Sequence, residues 1–424
     1  MNSAERIIEK EYLKPVKKKN YRKIGVEIEH PIVCFDSTKS LREIGHSFFR
    51  YMIEQEGYTV TDVSVDGYIY RIEKDGNSYS FDTFYGILEF SIKPLETLEA
   101  IEAIRREMLV NAISFYSTYD CYITGSGNNP FNKAKNERIL SQFSKMTQKD
   151  ADGNIDKETG TDEFYNMCST QTHLDIPFDK IVETYNFFNE SSFIRAILLS
   201  NSPDYYSNQV LYCTRDDIWQ NSKSPNTGLV NTHFNNIEDI LRHISNERLF
   251  YTEADEVFNT TDMSLEEYLS NSNGEYSFNT YRSFEHVVID RFGCLEIRDD
   301  CTQPLNEALV ATAFALGLAL NVDKATNLLI KFKVENGINY SNSELRLMAK
   351  RGEQIATDDD IRKLLYELYF CAEDALIARN SGDEIFLEPL KHRIEKLECP
   401  AKVYLNKYKN GCEAQDLIRM MAET

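Results

Sequence analysis

Four short segments of this chain each combine an apolar phase with an acidic one, and an extended strand is what separates two such phases. They read GVEIEH (Gly25 to His30), DTFYGILEF (Asp82 to Phe90), STQTHLD (Ser169 to Asp175) and CLEIRDD (Cys294 to Asp300). Side chains alternate across a strand, so residues two apart share a face. Glu27 and Glu29 therefore point the same way, as do Gln171, His173 and Asp175, and Glu296, Arg298 and Asp300. Val26, Ile28, Leu174, Ile176, Leu295 and Ile297 take the other phase and are expected to face a core. Carboxylates massed on one face and removed from water protonate unless cations join them. The pattern predicts a sheet that holds metal ions and a polyanionic substrate.

Charge excludes one class of partner. The net charge is −21 over 424 residues, whereas nucleic-acid binding is driven by Lys and Arg. Nucleotides remain open, because divalent metals invert the local field. The nine cysteines are scattered, with no CxxC pair. That is the usage of reduced, buried thiols, and predicts a cytoplasmic protein without a zinc site. The N-terminal stretch is basic but has no apolar run of signal length, and reads as a solvated lead-in. Ala308 to Val322 is the longest mostly apolar run. It is too short for a bilayer and reads as a buried helix, so no membrane partner is expected.

The remaining pattern sets the architecture. Strands are predicted over Arg22 to Cys34, in a hairpin from Tyr58 to Glu73 turning at Asp75-Gly76-Asn77, and over Tyr79 to Ile92. Helical periodicity covers Leu41 to Gln55, Leu95 to Tyr119 and Asp179 to Leu199, while Asn201 to Lys223 reads as irregular. From Pro304 onward nearly everything reads as helix: Leu305 to Phe332, Ser343 to Lys350, Asp358 to Arg379, Glu388 to Leu397 and Ala414 to Ala422. The fold class is therefore α+β: a curved, mostly antiparallel sheet flanked by helices, strand-rich over about 20–300 and helical over about 304–424. The length allows one large domain or two intimate ones, and residues 1–424 are expected to form one catalytic domain. The polar stretch Lys149 to Glu163 reads as a loop; its Asp152, Asn154, Asp156 and Glu163 match a calcium loop only loosely, with Lys157 where that turn wants Gly.

A candidate ligand set follows from the four segments: Glu27, Glu29, Asp82, Glu89, His173 and Glu296. Five carboxylates with one imidazole suit Mg²⁺ or Mn²⁺ better than zinc. Magnesium shares its sphere with substrate phosphates, so the set fits nucleotide-dependent phosphoryl chemistry. Arg298, beside Glu296 on one face, supplies positive charge for a transferred phosphoryl group. Asp82 and Glu89 are seven apart and would fall on opposite faces of an unbroken strand. Either Asp82 lies in the preceding turn, or Gly86 marks a bulge.

These segments, taken together, resemble the glutamate–cysteine ligase family, carboxylate–amine ligases related in fold to glutamine synthetase. GVEIEH is similar to its first strand, DTFYGILEFSIKP to the strand region with Asp and Glu seven apart before Phe and Pro, STQTHLDI to the strand carrying Gln and His, and LEIRDDCTQP to its Glu-x-Arg-x-Asp strand. AILLSNSPDYY (Ala196 to Tyr206) resembles the Asn-Ser-Pro segment, and YCTRDDIW (Tyr212 to Trp219) a segment whose arginine binds substrate. Order and spacing agree from about 22 to 322. The loop after Gly125, and Tyr205, Tyr206 and Asn208, depart from the commoner family form.

The resemblance implies an ATP-dependent ligase in which ATP phosphorylates a carboxylate and an amine attacks the acyl phosphate, giving an amide, ADP and phosphate. It implies that Glu27, Glu29, Asp82, Glu89, His173 and Glu296 bind Mg²⁺; five carboxylates plus ATP carry too much negative charge for one ion, so about two or three are expected. Arg298 would contact the transferred phosphoryl group and Arg215 the substrate. The carboxylate is expected to be the γ-carboxylate of glutamate, and the amine cysteine, another amino acid, a peptide or a carrier-bound substrate. No second ATP-binding domain is read, so the bifunctional glutathione-making form is not expected. Two other readings of the acidic face are a metal-dependent phosphohydrolase and a catalytically silent metal- or nucleotide-binding relative.

Overall fold

The structure is a computed structural model, and it describes residues 9–82, 84–137, 139, 167–221, 227–249, 251–254, 257–260, 263–271, 284–290 and 292–423. The acidic 149–163 stretch, with its partial calcium-loop match, lies outside the described residues. Among the described residues nine strands form the main sheet: β1 (Ile24–Cys34), β2 (Thr59–Val63), β3 (Ile69–Lys74), β4 (Asn77–Phe81), β5 (Ile87–Leu95), β6 (Cys121–Ile123), β7 (Ser169–Leu174), β8 (Val287–Ile289) and β9 (Leu295–Cys301). Their order is β8-β9-β7-β1-β5-β4-β3-β2, and β6 pairs with the far end of β1. Every pairing in this sheet is antiparallel.

The apolar phase makes the core. Val26, Ile28, Leu174, Ile176, Leu295 and Ile297 are each at most 1% exposed. Against this face lies α7 (Val310–Leu320), whose Thr312 meets Thr172 of β7 hydroxyl to hydroxyl at 2.9 Å. Two further helices, α1 (Leu41–Glu56) and α2 (Leu98–Ser117), cover the β3–β5 side of the sheet. There Phe49 stacks on Phe81 at 4.6 Å, and Phe48 meets Tyr79 edge-on at 5.3 Å. His30 falls on the apolar phase of β1 and is fully buried beside Phe90. Burial, then the Arg105 charge, push it down to about 3, so it is a neutral core residue held by the Thr124 carbonyl.

Several elements differ from the sequence expectation. Tyr79 to Ile92 is two strands: the chain leaves β4 at Phe81 and re-enters as β5 at Ile87. The DGN turn is kept, with Asp75 at φ 54° and Gly76 at φ 80°, the left-handed pair a two-residue hairpin needs. Asp179 to Leu199 divides at Ser191 into α3 (Ile181–Glu190) and α4 (Ser192–Leu199). The segment read as irregular carries a helix, α5 (Thr214–Asn221), and α6 (Ile237–Asn246) follows it. Leu305 to Phe332 bends by 95° at Asn321, where α8 (Val322–Glu335) begins. The helical third continues through α9 (Asn342–Arg351), α10 (Asp358–Arg379), α11 (Glu388–Lys396), α12 (Pro400–Lys409) and α13 (Ala414–Glu423). The N-terminal lead-in is also tied down: Val16 is buried, and Lys19 pairs with Asp175 at 2.7 Å. All nine cysteines are free thiols and eight are buried. Among the described residues, no single helix is long and apolar enough to cross a membrane.

Candidate active site

Strand register brings the acidic segments together. Along β1, three rungs follow one another two residues apart. The first joins Gly25 to His173 and His173 to Glu296. The second joins Ser91, Glu27 and Gln171, and the third joins Ser80, Glu89 and Glu29. Alternation then places Glu27, Glu29, Glu89, His173, Glu296 and Arg298 on one face across four strands. Asp82 follows Phe81 at the end of β4, in phase with Ser78 and Ser80. The hairpin resolves its spacing from Glu89: the two stand at the ends of neighbouring strands, and Gly86 marks no bulge.

Gly25 suits this close packing. A Cβ there would lie 3.2 Å from the Cβ of His173, closer than side chains normally approach. His173 is held from one side only. Its Nδ1 lies 3.1 Å from Asp290 Oδ2, while the buried Nε2 has no hydrogen-bond partner among the described residues and stands 3.8 Å from Glu27 Oε1. A carboxylate behind an imidazole whose other nitrogen is open is the arrangement of a metal-ligating histidine. His173, Asp290 and Glu296 also offer ligand atoms within 4.8 Å of one another. The residues present therefore fit a divalent cation.

Charge in the cluster supports the same fit. Burial, then the Asp82 charge, push the Glu29 carboxyl up to about 7. Burial and the charges of Glu27, Asp82 and Glu29 drive Glu89 well above the usual carboxylate range. Burial alone would depress His173, but Glu296, Asp290 and Glu27 outweigh it and raise it to about 9. Glu29 is fixed by Ser169, whose amide and hydroxyl donate to one oxygen at 2.6 and 2.9 Å, and by Gln171 at 3.2 Å to the other.

These groups have folded values above their unfolded ones. The metal-free protein keeps their contribution to stability at low pH and loses it as pH rises through about 7 for Glu29 and about 9 for His173. A divalent cation must displace the same protons. Melting curves with and without Mn²⁺ are expected to show a larger Tm gain near pH ~8 than near pH ~6; equal gains would contradict a cation bound by this cluster.

Two arginines border the carboxylates. Arg298 Nη1 donates to Glu296 Oε1 at 2.5 Å. Arg215, near the start of α5, donates from Nη2 to the Arg298 carbonyl at 2.8 Å, and its buried Nη1 has no hydrogen-bond partner among the described residues. Asp300 does not share this face. The β9 register shifts between Ile297 and Asp300, so Asp300 pairs with Thr170 and turns to Arg195 at 3.5 Å. Tyr205 and Tyr206 are not at the cluster either. Tyr205 packs between the rings of Phe131 and Tyr408, and Tyr206 is exposed with its hydroxyl on the Pro130 carbonyl.

Asp290 was not in the sequence-derived set. It closes β8, and its carboxylate also caps the Phe292 and Cys294 amides. Its only local signal is an aspartate closing the apolar strand Val287–Ile289, and its partner His173 is 117 residues away. Asp290→Ala is expected to weaken Mn²⁺ binding by about tenfold to a hundredfold, measured by calorimetry. An unchanged affinity would remove Asp290 from the support of His173.

No protein-family model matches this chain, and no curated protein matches it by sequence. Solved structures do. A glutamate–cysteine ligase from Francisella tularensis in complex with AMP is 11% identical, with a TM-score of 0.53 over 96% of this chain and 88% of its own. A bifunctional glutathione synthetase from Pasteurella multocida is 14% identical, with a TM-score of 0.49 over 99% of this chain and 54% of its own. The complex between the prokaryotic ubiquitin-like protein Pup and its ligase PafA gives 10% identity and a TM-score of 0.40, over 96% of this chain and 74% of that one. This chain has the α+β fold of a glutamate–cysteine ligase, as the motif resemblance implied.

Proposed function

We propose that this chain is an ATP-dependent carboxylate–amine ligase acting on the γ-carboxylate of glutamate. The observation that carries the reading is the three-rung face of β1, which gathers carboxylates and His173 beside Arg298 and Arg215. A sheet face this acidic is unstable alone and complete with cations and a polyphosphate. Bound Mg²⁺ would neutralise the triphosphate. Glu27, Glu29, Asp82, Glu89, His173 and Glu296 would hold it, with Asp290 orienting the imidazole.

The remaining roles belong to this chain's own side chains. Arg298 is placed to meet charge that develops on the transferred phosphoryl oxygens. The open Nη1 of Arg215 is placed for a substrate carboxylate. The acyl phosphate formed is then attacked by an amine, releasing phosphate and leaving an amide. Cysteine, another amino acid, a peptide or a carrier-bound amine fits this chemistry. A main core that includes residues from Tyr12 to Ile394 supports a single catalytic unit, and the free buried thiols support a reducing, cytoplasmic setting.

The test is incubation with ATP, Mg²⁺ and glutamate, with and without a panel of amines, following ADP and amide by mass spectrometry. Amine-dependent ADP release with a matching amide supports the ligase. Amine-independent phosphate release would instead make it a phosphohydrolase, and binding without turnover a silent relative.

A further inference from the structure

The two arginines at the site are each followed in the chain by a fully buried aspartate: Asp216 after Arg215, and Asp299 after Arg298. One guanidinium takes both carboxylates. Arg346 of α9 donates from Nε to Asp216 Oδ2 at 2.9 Å and from Nη1 to Asp299 Oδ2 at 2.6 Å. Its Nη2 donates to the Asp299 carbonyl at 3.1 Å, and Nη1 also reaches the Ser192 carbonyl at 3.0 Å. Its side chain is 2% exposed and both aspartates are 0%.

Other charges complete the cluster. Arg195 donates to Asp299 at 2.7 Å, His286 Nε2 lies 3.0 Å from Asp216, and Lys350 Nζ lies 3.5 Å from Asp216. The cluster is tied directly to the site. The Arg298 amide donates to the His286 carbonyl at 2.9 Å, and Arg215 bonds the Arg298 carbonyl.

Burying such a network is a poor source of stability, because desolvation cancels most of the attraction. What a planar guanidinium provides is geometry: its fork fixes two carboxylates at a set distance and angle. Fixing residues 216 and 299 fixes the backbone one residue before each. We propose that Arg346 is a positioning residue for the anion site, setting the spacing and aim of Arg215 and Arg298. This rests on the reading that those two arginines bind the phosphoryl group and the substrate carboxylate. Arg346 lies in the helical third, beyond the span of the motif resemblance.

The experiment measures binding, so it does not depend on turnover. Arg346→Lys keeps the charge but cannot span both aspartates and the carbonyl. With Mg²⁺ present, its affinity for inorganic tripolyphosphate is expected to fall about tenfold or more, while Mn²⁺ affinity stays within about twofold, as the Arg346 hydrogen bonds go to Asp216, Asp299 and Ser192 and to none of the proposed cation ligands. In an Arg215→Lys, Arg298→Lys background the same change is expected to add less than about twofold, because its effect passes through those arginines. Wild-type affinity in Arg346→Lys, or an equal loss in both backgrounds, would overturn the positioning role. If Arg346→Lys does not fold, Asp216→Asn and Asp299→Asn each release one leg of the fork and are read by the same criteria. Wild-type protein that binds tripolyphosphate but forms no amide removes the ligase reading and leaves this test in force. Wild-type protein that binds no tripolyphosphate removes both.

Discussion

Glu27→Gln and Glu296→Gln are each expected to abolish amine-dependent ADP release without unfolding the protein. Glu27 stands on the middle rung of β1, between Ser91 and Gln171, with His173 Nε2 3.8 Å away. Its charge is among those that drive Glu89 upward. Removing that charge takes away a proposed cation ligand and also relieves repulsion in the metal-free state. Lost activity should therefore come with a metal-free Tm equal to or above that of wild type, the stability–function trade-off of a strained site. Glu296 completes the first rung with His173 and also receives Arg298, so its loss disturbs both the cation and the guanidinium. Steady-state kinetics with a thermal melt in chelator decides the matter. Near-normal turnover in either variant would remove that residue from the site.

Arg298→Lys is expected to lower turnover by about 10²-fold or more, the cost of losing a comparable oxyanion donor, and to change ATP binding much less. The guanidinium shares the acidic phase of β9 and lies 2.5 Å from Glu296 Oε1. A lysine could keep an ion pair with Glu296, but it cannot present two parallel donors to a phosphoryl group. The bland alternative, a structural pair with Asp300, is not what forms: Asp300 turns across the register shift to Arg195. The split between turnover and ATP affinity carries the test, because charge builds on those oxygens only during transfer. Turnover within a few-fold of wild type would sink the catalytic role.

The parts of the site that were legible in the sequence are those set by a period of two. Glu27, Glu29, His173, Glu296 and Arg298 declare their face by alternation with Val26, Ile28, Leu174, Leu295 and Ile297, and pairing register then aligns the strands. Asp82 was harder, because a hairpin between Phe81 and Ile87 resets the phase that counting along one strand assumes. Asp300 misled for a related reason, a register shift that no local residue signals. Asp290 and Arg346 act through partners more than 40 residues away, and a carboxylate that caps a hairpin looks the same whether or not an imidazole rests on it. In the helical third, α10 was legible over Asp358 to Arg379. The polar α12 was missed because Lys and Asn between its apolar positions blur the stripe. The long helix from 305 bends at Asn321, whose apolar surroundings read as continuous.

The central claim is that this site activates a carboxylate by phosphorylation before an amine displaces the phosphate. Its most direct test is turnover with the carboxylate substrate labelled with ¹⁸O, followed by mass spectrometry of the released phosphate. The acyl-phosphate route carries one carboxylate oxygen into each phosphate, so singly labelled phosphate is expected in proportion to the amide formed. Phosphate whose new oxygen comes from solvent water would contradict the account and make the acidic face that of a hydrolase.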